Sequence, residues 1–338
     1  MSLRVGFVGV GGIARRHLRE AKANPDVEMV AYCDVALDRA QQVAEEYGGA
    51  AYQDFVRMYD EQKPDAIIIC TPPFAHGEIE EEACKRGIHF FVEKPVAVNM
   101  ELANRVARAV AQSGVIVQVG YMFRCSPPLI KLRELLQTHR PAMIQAHYYM
   151  PGLPSPPWWP KMELGGGQLI EQATHMLDLA RFLAGDVKTV AGVTATIHDW
   201  TTVPADYRPE GLLKHSETFE IPDTTGLVMQ CESGALGTLS CSLVPQVSWD
   251  VGFKVVAEGL LATISGASAC WVGDEQADMP APEDWATYVQ KDFIDAVLAG
   301  RPACIPYDEG VKSLAVSMAG YESVKRGGVP VHVAELIG

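Results

Sequence analysis

The glycine motif near the N-terminus constrains the fold of this chain more than any other feature. A short apolar run leads into Gly9-x-Gly11-x-x-Ala14, and a helical pattern follows from Gly12 to Asn24. In a strand–turn–helix unit, the first glycine permits a tight turn and the second lets the backbone approach a pyrophosphate. The small third residue lets the helix pack closely, and the helix N-terminus supplies N–H donors to phosphate oxygens. The motif predicts a dinucleotide-binding turn made by Gly9, Gly11, Gly12, Ile13 and Ala14.

An acidic residue follows the second predicted strand, which runs from Val27 to Cys33 and ends at Asp34. A carboxylate about 20 residues past such a motif accepts hydrogen bonds from a ribose 2′-OH and repels a 2′-phosphate. An ordinary glycine turn would leave Asp34 unexplained. The next residue is Val35 rather than a cation, and Arg39 is near enough along the chain to reach the adenosine edge. We therefore expect NAD to be preferred over NADP.

Length and charge limit the possible classes of protein. A chain of 338 residues suggests two domains, and 48% hydrophobic residues suffice for real cores. The net charge of −14 argues against nucleic acid and anionic membranes as partners, because both bind basic patches. No apolar run reaches the roughly 18 residues of a membrane span. Eight cysteines without a C-x-x-C pair, and an N-terminus that enters a core strand at once, predict a cytoplasmic protein with reduced, buried thiols.

The first part of the chain alternates strand and helix patterns. After the two strands above, apolar strands are predicted at 66–70, 88–92 and 115–119, with helices at 38–47, 78–86 and 99–113. Continuous apolar strands are typical of a parallel sheet covered on both faces. We predict an α/β Rossmann domain, a doubly wound sheet of about six parallel strands, over residues 1–122.

The second part reads differently. Alternating strands are predicted at 143–150, 189–197, 224–232, 235–243 and 253–258, and helices at 171–183, 287–299 and 309–325. The stretches 151–160 and 200–217 are predicted to be loops. We predict an α+β domain with an open, mostly antiparallel sheet over residues 123–338.

Two strand ends of the first domain carry polar groups. Ligands of such sheets bind beyond the carboxyl ends of the parallel strands. One end is followed by Thr71, Pro72, Pro73 and His76, and the other by Glu93 and Lys94. We assign all six residues to the cofactor-binding edge. Pro95 stiffens the turn after Lys94. That lysine either meets a substrate hydroxyl or is a surface lysine paired with Glu93.

A glycine-rich segment precedes the helix predicted at 171–183. Gly165-Gly166-Gly167 would let the backbone come close to a ligand. Glu171, His175 and Asp178 follow at a spacing of i, i+4 and i+7, which predicts one shared helix face. A carboxylate one turn from a histidine can orient the ring and stabilise its protonated form. The alternatives are a solvent-facing polar stripe or a structural histidine. Zinc-binding spacing is absent, so we expect no metal site.

Taken together, these motifs resemble one family over nearly the whole chain. The dinucleotide turn, Thr71-Pro72-Pro73-x-x-His76, Glu93-Lys94-Pro95, Gly120-Tyr121-x-x-Arg124, the three glycines and the His175 helix occur in this order. The set is similar to the glucose–fructose oxidoreductase / inositol dehydrogenase / rhizopine-catabolism (Gfo/Idh/MocA) family. The resemblance implies an N-terminal Rossmann domain and a C-terminal open sheet used to form dimers or tetramers. It also implies oxidation or reduction of a secondary alcohol on a sugar, inositol or related polyol.

The resemblance also implies roles for individual residues. Lys94 matches the lysine of the family's Glu-Lys-Pro motif, and His175 matches the histidine of its catalytic helix. Glu171 stands where the family usually has Asp, so it either touches substrate or only orients His175. We predict hydride transfer to the nicotinamide, with His175 as general base, Lys94 stabilising the alkoxide and Glu171 positioning His175. Lys94 remains the alternative proton acceptor.

Further pocket residues and two other functions complete the expectations. The candidate substrate-binding residues are Tyr121, Arg124, Trp158, Asp178 and His215. The pair Trp158 and Trp159 would stack on a sugar ring or pack at a subunit interface. One alternative function is an NAD-assisted glycoside hydrolase or eliminase that keeps its cofactor tightly bound. The other is a nonenzymatic nucleotide-sensing regulator, which the presence of Lys94 and His175 disfavours.

Overall fold

A computed structural model describes residues 2–202, 212–213, 215–273 and 276–337. The chain divides into two compact units. The first unit contains residues 1–97, 101–122 and 286–311, and the second contains residues 98–100, 123–285 and 312–338.

The first unit is built on a six-stranded sheet in the order β3-β2-β1-β4-β5-β6, and all of its strand pairs are parallel. Its strands are β1 (Leu3–Val8), β2 (Val27–Cys33), β3 (Ala50–Tyr52), β4 (Ala66–Ile69), β5 (His89–Val92) and β6 (Val117–Val119). The helices between them are α1 (Ala14–Ala23), α2 (Leu37–Tyr47), α3 (Phe55–Gln62), α4 (Glu78–Lys85) and α5 (Met100–Ser113). The predicted doubly wound parallel sheet is confirmed.

Burial explains which of these strands could be predicted from the sequence. Every residue of β4 is buried, as a strand covered by helices on both faces requires. The pair β3 and α3 was not predicted. Strand β3 has only three residues, two of them partly exposed, so it lacks a continuous apolar run.

The second unit is built on a nine-stranded sheet in the order β14-β13-β12-β11-β7-β10-β9-β8-β15. Its strands are β7 (Pro141–Tyr149), β8 (Val187–Ala195), β9 (Thr224–Cys231), β10 (Leu236–Ser242), β11 (Asp250–Ala257), β12 (Leu260–Ser265), β13 (Ser268–Val272), β14 (Ala277–Met279) and β15 (Val331–His332). Strands β7 and β10 pair in parallel, whereas the other named strand pairs are antiparallel. The predicted mostly antiparallel sheet is confirmed, but four of its strands, β12, β13, β14 and β15, were not predicted.

One face of this sheet is covered by helices and the other is exposed. Buried and exposed residues alternate strictly along β12, as a half-covered strand demands. The helices that precede β8 are α6 (Pro127–Leu135), α7 (Met162–Gly165), α8 (Gly167–Glu171) and α9 (Thr174–Ala184). Helix α9 packs against β7 and β10, and all but one of its residues are buried.

The C-terminal helices are α10 (Tyr288–Ala299) and α11 (Tyr307–Lys325), as predicted to within two residues. Sequence reasoning placed all of 123–338 in the second domain, but residues 286–311 belong to the first unit. The reason is packing on β5 and β6. Phe293 meets Phe91 edge to face with ring centres 6.1 Å apart, and the Gln118 side chain accepts a hydrogen bond from the Ile305 amide at 3.1 Å.

Three further expectations concern loops, thiols and membranes. The predicted loop 151–160 contains no helix or strand beyond an isolated bridge at Leu153, and part of the predicted loop 200–217 lies outside the described residues. The eight cysteines, all of them within the described residues, form no disulfide, but Cys270 and Cys304 are exposed, contrary to the expected burial. Among the described residues, no helix is both long enough and apolar enough to cross a membrane.

Candidate functional site

The glycine turn after β1 is fixed by a close approach of two backbone segments. Gly9 has a φ of +80°, and a Cβ placed on it would lie 2.8 Å from the carbonyl carbon and oxygen of Cys70. Its amide N–H donates to the carbonyl of Cys33 at 2.8 Å. Only glycine can adopt this left-handed conformation so close to another main-chain segment, so the turn requires glycine at position 9.

Beyond the turn, the backbone is open where a phosphate would have to approach. A Cβ on Gly12 would meet nothing within 4 Å, and one on Gly11 would meet only the Arg39 guanidinium at 4.0 Å. Helix α1 begins at Ala14, which is fully buried, while the preceding Ile13 is exposed. A helix N-terminus beside open glycines is suited to bind a pyrophosphate.

Asp34 carries the carboxylate at the end of β2. It is buried, its Oδ2 accepts from the amide of Val10 at 3.0 Å, and its Oδ1 accepts from the amide of Ala36 at 3.0 Å. The guanidinium of Arg39 lies 3.3 Å from both oxygens, and its side chain is 51% exposed. The two amides fix the carboxylate, whereas the half-exposed Arg39 is the contact that can move to admit a ribose.

The end of β4 contributes a hydroxyl and a histidine. The Thr71 Oγ1 atom is buried and has no hydrogen-bond partner within the described part of the chain. His76, buried after the 3-10 helix Pro73–Ala75, contacts Glu80 through Nδ1 at 2.6 Å. The other oxygen of Glu80 accepts from the amide of Gly77. Glu80 thus links the His76 ring to the residue that precedes α4. The prolines Pro72 and Pro73 lie between the two.

These features fit a dinucleotide. The open glycines offer room for a pyrophosphate, and Asp34 offers acceptors for a ribose diol. The Thr71 hydroxyl is a buried polar group that lacks a partner among the described residues. The residues that would hold the cofactor are therefore those of the glycine turn, Asp34 and the β4 end. A bound dinucleotide of this kind supplies a hydride acceptor or donor.

The end of β5 holds the Glu93-Lys94-Pro95 turn, in which the Lys94–Pro95 peptide is cis. Glu93 is buried, whereas Lys94 is half-buried. Burial opposes ionisation of Glu93, but a hydrogen bond from His17 at 2.8 Å and the charges of His17, Arg16 and Lys94 outweigh it and lower its pKa to about 2. Glu93 is thus an anion at neutral pH.

In the second unit, the predicted single helix over 171–183 is interrupted, which corrects the shared face assigned to Glu171. Glu171 is the last residue of α8, and His175 lies in the first turn of α9. Between them, the amide of Ala173 donates to the carbonyl of Gln168, five residues earlier. Only His175 and Asp178 share one helix, at a spacing of i and i+3.

A buried tryptophan holds Glu171. The indole N–H of Trp159 donates to Oε2 of Glu171 at 2.8 Å, and Trp159 is 1% exposed. Trp159 is therefore tied to the candidate catalytic carboxylate rather than to a subunit interface. The preceding residue, Trp158, packs on the backbone of Gly165, where a Cβ would be 3.2 Å from the Trp158 ring.

His175 is buried among aromatic rings. The Phe123 ring meets it edge to face with centres 5.5 Å apart, and Trp285 lies 5.1 Å from Phe123. Sequence reasoning missed both aromatic residues. Phe123 sits beside the predicted Arg124, but nothing in the local pattern connects Trp285 to a helix more than a hundred residues earlier.

The three glycines where α7 ends and α8 begins serve internal packing, which corrects the expectation that they admit a ligand. A Cβ on Gly166 would lie 2.8 Å from Ile170, and one on Gly167 would lie 2.5 Å from the Tyr321 hydroxyl. Both residues have positive φ values. The space over these glycines is already filled by side chains of the same unit.

Arg124 and Asp178 form a buried ion pair with two hydrogen bonds of 2.8 and 2.7 Å. Ser313 donates to the same carboxylate at 2.7 Å, and Arg181 donates to Ser313 at 2.8 Å. The pair cross-links α9 to the segment that follows β6. Such fork-to-fork contacts are strong and directional. A substrate-binding role for these two residues remains a prediction.

The remaining predicted residues are dispersed. Tyr121 is buried in the first unit, whereas His215 is half-buried in a loop of the second. The structure thus brings together the glycine turn and the three strand ends within the first unit, and Glu171, Trp159 and the His175 helix within the second. No cluster of three or more potential metal ligands occurs among the described residues.

Family models match both parts of the chain. A model described as an oxidoreductase family with an NAD-binding Rossmann fold matches residues 3–121, and a model of the GFO/IDH/MocA C-terminal domain matches residues 131–277. The chain is 24% identical to a myo-inositol 2-dehydrogenase of Thermotoga maritima over 336 residues, which cover 96% of each protein. It is 25% identical over 260 residues to a scyllo-inositol 2-dehydrogenase (NAD(+)) of Bacillus subtilis, covering 75% of this chain and 71% of that relative.

A solved structure shares the fold. A levoglucosan dehydrogenase in complex with NADH and levoglucosan matches with a TM-score of 0.84 at 19% identity, over 98% of this chain and all of that one. Relatives named as dehydrogenases, together with both family models, make this chain an NAD(P)-dependent oxidoreductase.

The Arg124–Asp178 pair yields a stability prediction. Asp178→Ala leaves a buried guanidinium without its counterion, which costs about 3–5 kcal/mol in the free energy of unfolding. Urea denaturation followed by circular dichroism measures the loss. Replacing both partners, as Arg124→Met with Asp178→Leu, should recover part of it. The exposed Glu258→Ala serves as control and should stay within about 0.5 kcal/mol of the parent. A parent-like stability of Asp178→Ala would instead favour a substrate-binding role.

Proposed function

This chain belongs to the Gfo/Idh/MocA family of NAD(P)-dependent oxidoreductases, and we propose that it transfers a hydride between nicotinamide and a secondary alcohol or ketone of a sugar, inositol or related polyol. The strand-end edge of the first unit carries this proposal, because open glycines, the fixed Asp34 carboxylate and the buried Thr71 hydroxyl are groups that a dinucleotide needs. The substrate class is supported by relatives named as inositol dehydrogenases.

We propose NAD as the preferred cofactor. The Asp34 carboxylate is buried, and two backbone amides fix its orientation, so it cannot rotate to avoid a 2′-phosphate. Its negative charge therefore repels NADP and favours the diol of NAD. The neighbouring Val35 adds no cation, and Arg39 is engaged with Asp34 itself.

The catalytic roles follow from side-chain chemistry and family membership. His175 takes the proton of the substrate hydroxyl, since an imidazole is an effective base near neutral pH. Lys94 stays cationic and stabilises the developing alkoxide. Glu171, held through one oxygen by the Trp159 indole, positions His175.

The proposed dehydrogenase activity can be tested by a turnover assay. With NAD⁺ and a panel of inositols, aldoses, sugar acids and anhydro-sugars, absorbance at the nicotinamide band should report turnover of at least one polyol. Lys94→Ala should lower kcat/KM by about 100-fold or more, because a preorganised charge at the reacting oxygen is lost.

The exposed lysine of α4 provides the control for that assay. Lys85→Ala removes an equal charge from an exposed side chain that pairs with Glu82 on the same helix, and its turnover should match the parent. Equal losses in both variants would contradict the role of Lys94. Absence of net turnover, with NAD found tightly bound in the purified protein, would instead support the NAD-assisted hydrolase or eliminase.

Cofactor selection gives a second prediction. Asp34→Ser removes the repelling carboxylate and releases Arg39 to pair with a 2′-phosphate. The ratio of kcat/KM for NADP⁺ to that for NAD⁺ should rise about tenfold or more, which corresponds to about 1.4 kcal/mol. Adding Arg39→Ala should cancel much of the gain. An unchanged ratio in Asp34→Ser would show that Asp34 does not select the cofactor.

We also propose a homodimer or homotetramer that uses the exposed face of the nine-stranded sheet. Five apolar side chains lie side by side across neighbouring strands of that face, each 38–59% exposed. They are Leu236, Met143, Val256, Leu261 and Val272. A contiguous apolar row of this kind marks an interaction surface.

The proposed role of this apolar row in oligomer formation can be tested by mutation. Leu261→Lys puts a charge at its middle and should shift the mass found by light scattering toward the monomer, because burial of an unpaired ammonium is costly. Thr263→Lys, one step along the same face of β12, is the matched control and should shift the mass less. A parent-like mass for Leu261→Lys would contradict this use of the face.

A further inference from the structure

A histidine at the core of the first unit has an oxygen at each ring nitrogen. His17, on α1, is fully buried. Its Nδ1 lies 2.5 Å from Oε1 of Gln290, and its Nε2 lies 2.8 Å from Oε1 of Glu93. The Phe91 ring covers it with centres 4.9 Å apart. Neither nitrogen can therefore exchange its partner for water.

The orientation of Gln290 is set by a second contact. Its side-chain nitrogen donates to the main-chain carbonyl of His17 at 3.2 Å. Reversing the amide would place its oxygen against that carbonyl and its N–H₂ group against the imidazole. The oxygen of Gln290 therefore faces Nδ1, and Nδ1 has to donate.

The second nitrogen faces a carboxylate that is ionised. Arg16 approaches Oε1 of Glu93 at 3.4 Å, and Oε2 accepts from the amide of Lys94 at 3.3 Å, so groups other than His17 favour the ionised carboxylate. A neutral imidazole has one donor and one acceptor. Arg16 Nη2 also lies 3.4 Å from Nε2, but the Glu93 oxygen at 2.8 Å is the nearer group. With an acceptor as the nearest group on each side, both ring nitrogens carry protons.

We propose that His17 is a buried imidazolium and that, through its ion pair with Glu93, it is a positioning residue for Lys94. The functional half of this inference rests on the proposed role of Lys94. The other oxygen of Glu93 accepts from the amide of Lys94 at 3.3 Å. It also lies against the main chain of Gly120, where a Cβ would be 2.9 Å away. The carboxylate thus joins α1 to the ends of β5 and β6.

The other ionisable groups near the ring leave Glu93 as its main counterion. Glu20, one turn along α1, is 4.0 Å from Nδ1, and burial raises its pKa. Cys70, at the end of β4, is a neutral thiol because burial raises its pKa well above the ordinary value. Arg16 lies 3.4 Å from both Glu20 and Glu93. Gln290, from α10, carries no charge.

The protonation state can be measured without turnover. In protein labelled with ¹⁵N-histidine, the His17 ring should show a proton on both nitrogens at pH 7, because an acceptor faces each of them. His17→Gln assigns the signals by their loss. A neutral His17 ring at pH 7 would overturn the imidazolium.

The positioning role has its own readout. Removing the imidazolium leaves the Glu93 anion uncompensated beside Lys94, which strengthens its attraction for the ammonium and makes the amine less reactive. Competitive amine labelling at one alkaline pH, read at Lys94 by mass spectrometry, should be slower in His17→Gln and unchanged in a variant of an exposed histidine, His332→Gln. Equal labelling of Lys94 in both variants would overturn the coupling, whether or not the protein turns over a polyol.

Turnover tests the same coupling by a double-mutant cycle. If the polyol assay is positive, His17→Gln and Glu93→Gln should each lower kcat at least tenfold, while the affinity of His17→Gln for NADH changes less than threefold. The double variant should be no worse than the poorer single variant, since two amides can pair. Additive losses would contradict a joint action. A negative polyol assay with a doubly protonated His17 would remove the proposed function and keep the ion pair.

Discussion

The close approach of two main-chain segments at the carboxyl ends of β1 and β4 is the constraint on which the first unit depends. Gly9 and Cys70 are so near that any Cβ on Gly9 would collide with a carbonyl group. The turn that this contact permits places the amide of Val10 on the Asp34 carboxylate and leads into α1, whose first turn carries His17. The cofactor-binding edge and the Glu93 ion pair therefore lie on either side of the same glycine turn.

The hydrogen-bond and ion-pair partners of each buried carboxylate indicate whether it stabilises the fold or is available to a ligand. Glu93 and Asp178 are each bound by a buried cation, His17 and Arg124 respectively. Displacing those cations would strand a charge in the interior. Asp34, by contrast, is held by neutral amides and a half-exposed Arg39, so a ribose can replace that contact at little cost.

Local patterns predicted much of the fold. The alternation of apolar strands and helices identified the parallel sheet, because buried strands such as β4 are continuous apolar runs. The glycine turn and Asp34 were visible because their spacing is set within one strand–turn–helix unit. The short strand β3 has no such run and was missed.

Contacts between distant segments were beyond such patterns. Nothing near Gln290 indicates that its amide orients the His17 ring, or that 286–311 packs with the first unit. The break between Glu171 and His175 depends on the hydrogen bond from Ala173 to Gln168, which a helical spacing rule cannot show. Likewise, the glycines at 166 and 167 are explained by Ile170 and a tyrosine from a helix at the other end of the chain.

The central claim is that the chain moves a hydride from a carbinol carbon to nicotinamide. The most direct test uses the polyol that is turned over fastest, deuterated at its carbinol carbons, and analyses the NADH formed. The account predicts one deuterium on the nicotinamide ring for each ketone produced. Product formed by bond cleavage, with no labelled NADH accumulating, would contradict it.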